Sequence, residues 1–247
     1  MHRFFVDDAG FQGETAFLEE SDARHAMRVL RLVPGEAVAL MDGSRRFLGE
    51  IVSLSEEGVQ CRLVRELPST EAGLQITLFQ GLPKAEKMEL IVQKLTELGA
   101  VEVVPVAMQR CVVRLTGKDS EKKRERWQKI AREAMKQSGR TRELTVAAPV
   151  SLREMLARLT DYDAALVPWE DARGYGPRRF SMEHPQARRV ALVVGPEGGM
   201  SAEEVQAMEA VGARQITLGP RILRTETAGL AATAALLALY GDMDTEI

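Results

Sequence analysis

Two glycine loops carry the residues best suited to chemistry in this chain of 247 residues. The first is Gly195-Pro196-Glu197-Gly198-Gly199. The second is Gly219-Pro220-Arg221, continued by Ile222-Leu223-Arg224-Thr225-Glu226-Thr227. Glycine lets the backbone approach a ligand closely and adopt positive φ, while Pro196 and Pro220 stiffen the loops by fixing φ. Two carboxylates, Glu197 and Glu226, and one guanidinium, Arg224, lie in or just past them, the kinds of group that acid–base or electrostatic catalysis draws on. No GxGxxG follows an apolar run and no GxxxxGK[ST] occurs, so neither a dinucleotide fold nor a P-loop is supported. Cys61 and Cys111 stand far apart with no CxxC or histidine cluster, which suggests no disulfide framework and no metal site. His25 is a lone histidine and Cys111 lacks an activating partner, so neither is assigned a catalytic role.

The loops are placed by the elements around them. Apolar runs at Val190–Val194 and Ile216–Leu218 each stop at one of the loops and read as buried strands. Ser201 and Glu204 have capping-box spacing, so a helix starts at Ser201. Ala228–Leu239 is apolar nearly all the way round and reads as a helix buried on several sides. Loops at the carboxyl ends of parallel strands are where α/β sheets bind ligands, which makes this the expected cofactor site. The same glycines would also suit tight turns with no ligand, and on the residues alone the two readings are evenly matched.

The words of the two loops separate them. VGPEGG followed by LGPRILRTETA closely resembles the SPOUT class of S-adenosylmethionine-dependent RNA methyltransferases, and within it the family that methylates N3 of a uridine in 16S ribosomal RNA. Arg3-Phe4-Phe5, His25 with Val29-Leu30-Arg31, Lys84–Met88, Lys94–Gly99 and Gln137-Ser138-Gly139-Arg140 are similar to further motifs of that family. There is one departure: Lys136 stands where the family usually carries an acidic residue. The stretch Leu166–Glu170 is a looser match.

The resemblance implies an α/β C-terminal domain of SPOUT type with a trefoil knot, over residues 74–247, behind a small PUA-like RNA-binding β-barrel over residues 1–70. It implies that S-adenosyl-L-methionine is held by Leu166, Gly195, Pro196, Glu197, Gly198 and Gly199 on one side. Leu218, Gly219, Pro220, Ile222, Leu223 and Thr227 would hold it on the other. It also implies a homodimer acting on one particular uridine of 16S rRNA in the small ribosomal subunit. Methylating uridine N3 requires the N3 proton to leave, because the neutral imide is a poor nucleophile. The protein must then supply a base or a cation for the developing anion. Arg224 is the candidate for the cation. Glu197 and Glu226 are candidates to bind substrate or accept the proton, and Glu226 is equally suited to the N-terminal dipole of the last helix. No metal is needed.

Elsewhere the chain supplies a polyanion-binding surface. Net charge is −3, yet Lys122 to Arg142 holds nine basic residues against two acidic ones, leaving −10 for the rest. A helix over 121–138 buries Trp127, Ile130, Ala131 and Ala134 and turns Lys129, Arg132 and Lys136 outward, with Arg140 beyond. Acidic partners at i,i+4 are few, so phosphate contact is the better account of the stripe. A second set, Arg24, Arg28 and Arg31, lies along one side of a short helix from Ser21 to Leu32. These residues alone slightly favour a merely solvated face there; the family resemblance favours RNA. Residues 1 to about 68 otherwise read as short strands, with Asp42-Gly43 marking a hairpin, and 68–73 reads as a linker. After it strands alternate with helices, which implies a parallel sheet. The N-terminus lacks a signal-peptide core, and the longest apolar stretch falls short of the ~20 residues that span a membrane. A cytoplasmic protein is expected. Two other functions stay open: a non-catalytic RNA-binding or ribosome-assembly factor on the same scaffold, and an enzyme acting on ribose 2′-oxygen or on transfer RNA.

Overall fold

A computed structural model describes residues 1–115 and 117–244. The chain divides into two units, residues 1–71 with 135–143 and residues 72–134 with 144–247. The segment Met135–Glu143, assigned from sequence to the C-terminal domain, therefore clusters with the N-terminal one.

In the first unit the strands are β1 (His2–Phe5), β2 (Phe11–Gln12), β3 (Thr15–Leu18), β4 (Ala37–Met41), β5 (Arg46–Ser55) and β6 (Gly58–Leu67). They form one sheet in the order β1-β4-β5-β6-β3-β2. Phe11 of β2 meets Phe47 of β5 at 5.6 Å between ring centroids although two strands separate them in the sheet, so the sheet curls over its core. Phe4, Leu18, Val38, Leu40, Ile51, Val59 and Cys61 fill that core. Asp42 closes the hairpin between β4 and β5: its Oδ1 accepts from the backbone N–H groups of Ser44 (2.9 Å) and Arg45 (2.6 Å). The helix expected from Ser21 to Leu32 is a short α-helix, α1 (Glu20–Arg24), that widens into a π turn at His25–Val29. Arg31 follows at φ 54°, a left-handed backbone that closes the helix before Pro34.

In the second unit every strand pairing is parallel. The strands are β7 (Gln75–Gly81), β8 (Glu102–Ala107), β9 (Thr145–Val146), β10 (Val150–Ser151), β11 (Ala164–Pro168), β12 (Arg189–Val194) and β13 (Arg214–Ile216). Their order is β10-β8-β7-β12-β11-β13, with β9 beside β8. Alternating side chains feed two cores. Ile76, Leu78, Val190 and Leu192 pack with Leu95 of α2 (Lys87–Leu98), Ala131 of α3 (Gly117–Ser138) and Leu236 of α7 (Thr225–Leu239). Phe79, Val104, Ala191 and Val193 pack on the other side with Met155 of α4 (Leu152–Leu159) and Met208 of α6 (Ala202–Ala210). Phe180 of α5 (Pro177–Glu183), a helix the sequence does not signal, joins the first of these cores. Both capping boxes form: Ser151 with Glu154 and Ser201 with Glu204.

Two boundaries differ from expectation at the glycine loops. The strand expected at Ile216–Leu218 is Arg214–Ile216, so Leu218 belongs to the loop. The last helix starts at Thr225 rather than Ala228, with Arg224 as its N-cap residue. No helix among the described residues is long and apolar enough to cross a membrane.

Candidate active site

Strands β7, β12, β11 and β13 are consecutive neighbours, so the loops leaving their carboxyl ends lie side by side. They enclose a cavity of about 1070 Å³. Its walls are the first glycine loop (Gly195–Gly199), the segment Thr217–Thr225, the β11–α5 loop (Trp169, Glu170, Asp171, Arg173, Gly174) and Lys87 from α2. Val194, Pro196, Leu218, Leu223 and Ala228 supply apolar lining, and Lys87, Arg173, Arg221 and Arg224 face it as cations with Glu170, Asp171 and Glu197 as carboxylates. A cleft at the carboxyl end of a parallel sheet is the usual place for a small-molecule site.

The loops are fixed from beneath by one buried network. Gln80, at the end of β7, donates from Nε2 to Thr225 Oγ1 (2.8 Å) and to the Gly81 carbonyl (3.0 Å). Thr225 Oγ1 donates in turn to the Gly195 carbonyl at 2.6 Å. The first residue of α7 is thereby tied to the first residue of the other glycine loop. Close packing does the rest: a Cβ on Gly195 would come within 2.7 Å of Met200 Cγ, and one on Gly81 within 2.6 Å of Pro196. Gly199 and Gly219 sit at φ 71° and 103°, where a side chain would be strained. Gly198 is held against Arg110, whose Nη1 donates to its carbonyl at 3.1 Å and whose Cβ would lie 3.0 Å from a Cβ at 198.

The charged groups form a chain that the sequence does not reveal. Lys87 Nζ lies 3.1 Å from Glu197 Oε1 and 3.1 Å from Glu226 Oε2. Glu197 Oε1 also accepts from the backbone N–H of Lys84 at 2.9 Å. Burial pushes the Glu197 carboxyl upward, but the Lys84 N–H, its own N–H and Lys87 outweigh that and hold it below the ordinary carboxylate range. Glu226 is held low in the same way: burial raises it, and its own N–H, Lys87 and Arg224 win. The Lys87 ammonium is raised by Glu197 first and Glu226 second. The two glutamates are thus ionised anchors of both loops, each engaged with the same cation. Arg224 lines the cavity, and among the described residues its guanidinium makes no hydrogen bond or ion pair. Burial, the largest effect, pushes the Cys111 thiol up.

Most of the expected cofactor residues line this cavity, and two do not. Leu166 is a core residue of β11, 1% exposed among the strand-facing side chains; the lining begins two residues later, at Pro168. Thr227, on the exposed side of α7, is also outside it. Glu226 is not itself in the lining but is coupled to it through Lys87 and Arg224. Ile222 is 82% exposed on the second loop. Among the described residues no group of three His, Cys, Asp or Glu side chains could hold a metal ion.

The basic residues divide. Lys129, Arg132 and Lys136 are exposed on α3, with Trp127, Ala131 and Ala134 buried on its other side. Among the described residues Lys129 and Lys136 form no ion pair. The stripe is partly compensated at its start: Arg124 pairs with Glu121, and Arg126 with Glu89 at 2.9 Å. Arg140 is not a free cation. It is 3% exposed and donates from Nε (3.1 Å) and Nη2 (2.6 Å) to Glu71 Oε2, while Glu71 Oε1 accepts from the N–H groups of Thr141 and Arg142. In this structure the Arg140 guanidinium is spent on Glu71 rather than turned to solvent. Arg24 and Arg28 are exposed but paired, with Glu20 at 3.2 Å and Glu56 at 2.9 Å; Arg31 is exposed.

Comparison with known proteins gives a consistent set. The model of an RNA methyltransferase domain matches residues 70–237 and that of an RNA methyltransferase PUA domain matches residues 18–64. Ribosomal RNA small subunit methyltransferase E of Bacillus subtilis is 36% identical over 251 residues, covering 96% of each chain. The protein of that name from Mycobacterium tuberculosis is 33% identical, covering 98% of this chain and 93% of its own. The crystal structure of a ribosomal RNA small subunit methyltransferase E from Neisseria gonorrhoeae bound to S-adenosyl methionine superposes with a TM-score of 0.77. It has 32% identity and covers 97% of this chain and 98% of its own. A putative methyltransferase from Legionella pneumophila in complex with the same cofactor gives 0.77 at 31% identity, covering 96% of both chains.

Proposed function

The chain belongs to the ribosomal RNA small subunit methyltransferase E family, and on that premise we propose that it methylates N3 of one uridine in 16S rRNA from S-adenosylmethionine. The observation that carries the reading is the cavity between two glycine loops with an unpaired Arg224 on its wall. The cavity fits the cofactor. Its volume suits a ligand of that size, its backbone is open at Gly219, where nothing lies within 4 Å of a would-be Cβ, and its lining mixes apolar side chains with charged ones of both signs, as a ligand with an adenine ring, a sulfonium and an amino-acid end requires. The residues that would hold it are Gly195–Gly199 on one side and Leu218–Leu223 on the other. Bound there, S-adenosylmethionine supplies an electrophilic methyl group on a sulfonium.

The chain's own part is positioning and charge. The Gln80–Thr225–Gly195 network and the Lys87 bridge hold both loops before any ligand arrives, which lowers the ordering cost of binding. Arg224 makes no hydrogen bond or ion pair among the described residues, so its guanidinium is available to stabilise the anion that forms at N3 as the proton leaves. Glu197 and Glu226 position the loops. As proton acceptors they would have to leave Lys87, and their lowered pKa makes them weak bases at neutral pH. Lys129, Arg132 and Lys136 hold the RNA backbone without reading its sequence.

The proposal includes a trefoil knot through the stretch that carries both loops, and a twofold dimer. Thr227, Ala231, Ala234, Ala235 and Ala238 follow i, i+4, i+7, i+8, i+11 along α7 and are exposed or half-buried, a stripe of small side chains that lets a second helix approach. Arg224→Ala tests the catalytic claim. Methyl transfer should fall by roughly 10²–10³, as for loss of one anion-stabilising donor, with cofactor affinity by calorimetry unchanged. Transfer at the wild-type rate would remove Arg224 from the chemistry.

A further inference from the structure

Arg3 and Arg46 form a second cationic feature, within the first unit. The register places Arg3 beside Ala39, and Phe5, Met41 and Arg46 beside one another. Side chains alternate between faces along a strand, and paired neighbours share a face. Both arginines therefore project from the sheet face opposite Phe4 and Leu40, which carry the core. Ala39 and Met41, on the arginines' face, are fully covered. Arg3 Nη1 donates to the Gln137 carbonyl at 3.1 Å, and its guanidinium lies 2.7 Å from where a Cβ on Gly139 would stand. Arg46 Nη1 makes a long contact, 3.4 Å, with the Pro68 carbonyl, and its Nε is buried with no hydrogen-bond partner.

Neither guanidinium meets a carboxylate among the described residues. The acid in this part of the unit, Glu71, is filled by Arg140, Thr141 and Arg142. Burial first, and the charge of Arg3 second, push the Arg46 guanidinium below its usual range. So the fold sets two like charges close enough to oppose each other, and buries a donor without an acceptor. A buried donor without a partner is destabilising. An anion with several acceptor oxygens removes both penalties, and the planar fork of arginine matches the geometry of phosphate.

We propose that Arg3 and Arg46 together hold one phosphate group of the RNA backbone, with Gly139 leaving the room that lets Arg3 reach its place. The proposal rests on the RNA substrate argued above. It also reassigns the role expected of Arg140, which is neutralised internally, to two arginines that are not.

The test is Arg3→Gln, Arg46→Gln and the double variant. Glutamine removes the charge and keeps a polar amide on a shorter stem. The probe is deproteinised 16S rRNA, with binding measured over a range of salt concentrations. The slope of log K against log salt should shrink by up to about one unit per arginine, while S-adenosylmethionine affinity holds and the thermal midpoint stays level or rises as the repulsion is relieved. Sulfate in place of chloride at equal ionic strength should raise the midpoint of the wild type more than that of the double variant. That separates a true anion site from contacts that RNA makes elsewhere. A wild-type slope in the double variant overturns the phosphate site and leaves the function standing. A midpoint that falls in all three variants with the slope intact makes the arginines structural and overturns it as well. A wild type that binds no 16S rRNA overturns the site and the substrate reading together.

Discussion

Lys87→Met isolates the bridge between the two glycine loops. Each ion pair spans 3.1 Å, and the side chains of Lys87, Glu197 and Glu226 are 27%, 26% and 16% exposed. At an effective dielectric of ~20 each pair carries about 5 kcal/mol of gross attraction. Desolvation, the entropy of a long side chain and partial exposure cancel most of it, leaving on the order of 1–2 kcal/mol for the bridge. The variant should melt roughly 3–6 °C lower, at about 2–4 °C per kcal/mol for a chain of this size. Part of that loss appears as loop disorder, so cofactor affinity should fall about ten-fold, the equivalent of about 1.4 kcal/mol. Lys87→Arg should restore most of both. The pH dependence carries its own sign. Glu197 and Glu226 are depressed in the folded state, so their contribution is present above the ordinary carboxylate pKa and lost as pH falls through the depressed values. Lys87 is raised, so its contribution is present below the ordinary lysine pKa and lost as pH rises through the raised one. Lys87→Met should therefore flatten both flanks of the stability profile. Calorimetry for the cofactor, and unfolding followed from about pH 2.5 to about pH 11.5 so that both flanks are crossed, would show it. A variant with wild-type affinity, midpoint and pH profile would mean that the bridge holds nothing in place.

Gly198→Val should displace the first loop from Arg110, against which even a Cβ is tight at 3.0 Å, and weaken cofactor binding by calorimetry. Thr225→Val leaves Gln80 Nε2 and the Gly195 carbonyl each short of a partner and should cost about 1–3 kcal/mol in denaturant unfolding. Arg140→Ala strands the Glu71 carboxylate and should destabilise by about 3–5 kcal/mol, with the salt dependence of RNA binding unchanged. Lys129→Ala with Lys136→Ala should do the reverse, lowering the salt slope by up to about two units with the stability intact.

The glycine loops could be read from the chain because their chemistry is local. A positive φ at Gly199 and Gly219, or a proline stiffening a turn, is decided by the residue itself and its neighbours. The two capping boxes formed as their i,i+3 spacing required. What the chain hid is long-range. Lys87 reads as an ordinary lysine early in an amphipathic helix, and nothing local says that Glu197 will arrive beside it. Gln80 closes a strand of apolar residues and becomes the link to Thr225 only once the sheet is assembled. Arg140 sits in a basic run and looks free, because its partner Glu71 is 69 residues away in what reads as a linker. The helix expected from Ser21 to Leu32 is present over Glu20–Val29, and only its pitch differs from expectation. Its periodicity was sound, but the π turn at His25–Val29 changes the pitch midway, a backbone choice that side-chain spacing does not encode.

The most direct test of the account is the identity of the methylated nucleoside. Small-subunit RNA lacking the modification, naked or assembled in subunits, is incubated with the protein and methyl-labelled S-adenosylmethionine, digested, and analysed by mass spectrometry. The account predicts label in 3-methyluridine, and little or none of it with Arg224→Ala. Label on a ribose 2′-oxygen or on another base would contradict the assignment of the reaction. Cofactor bound with no methyl transferred to either form of the RNA would contradict catalysis itself.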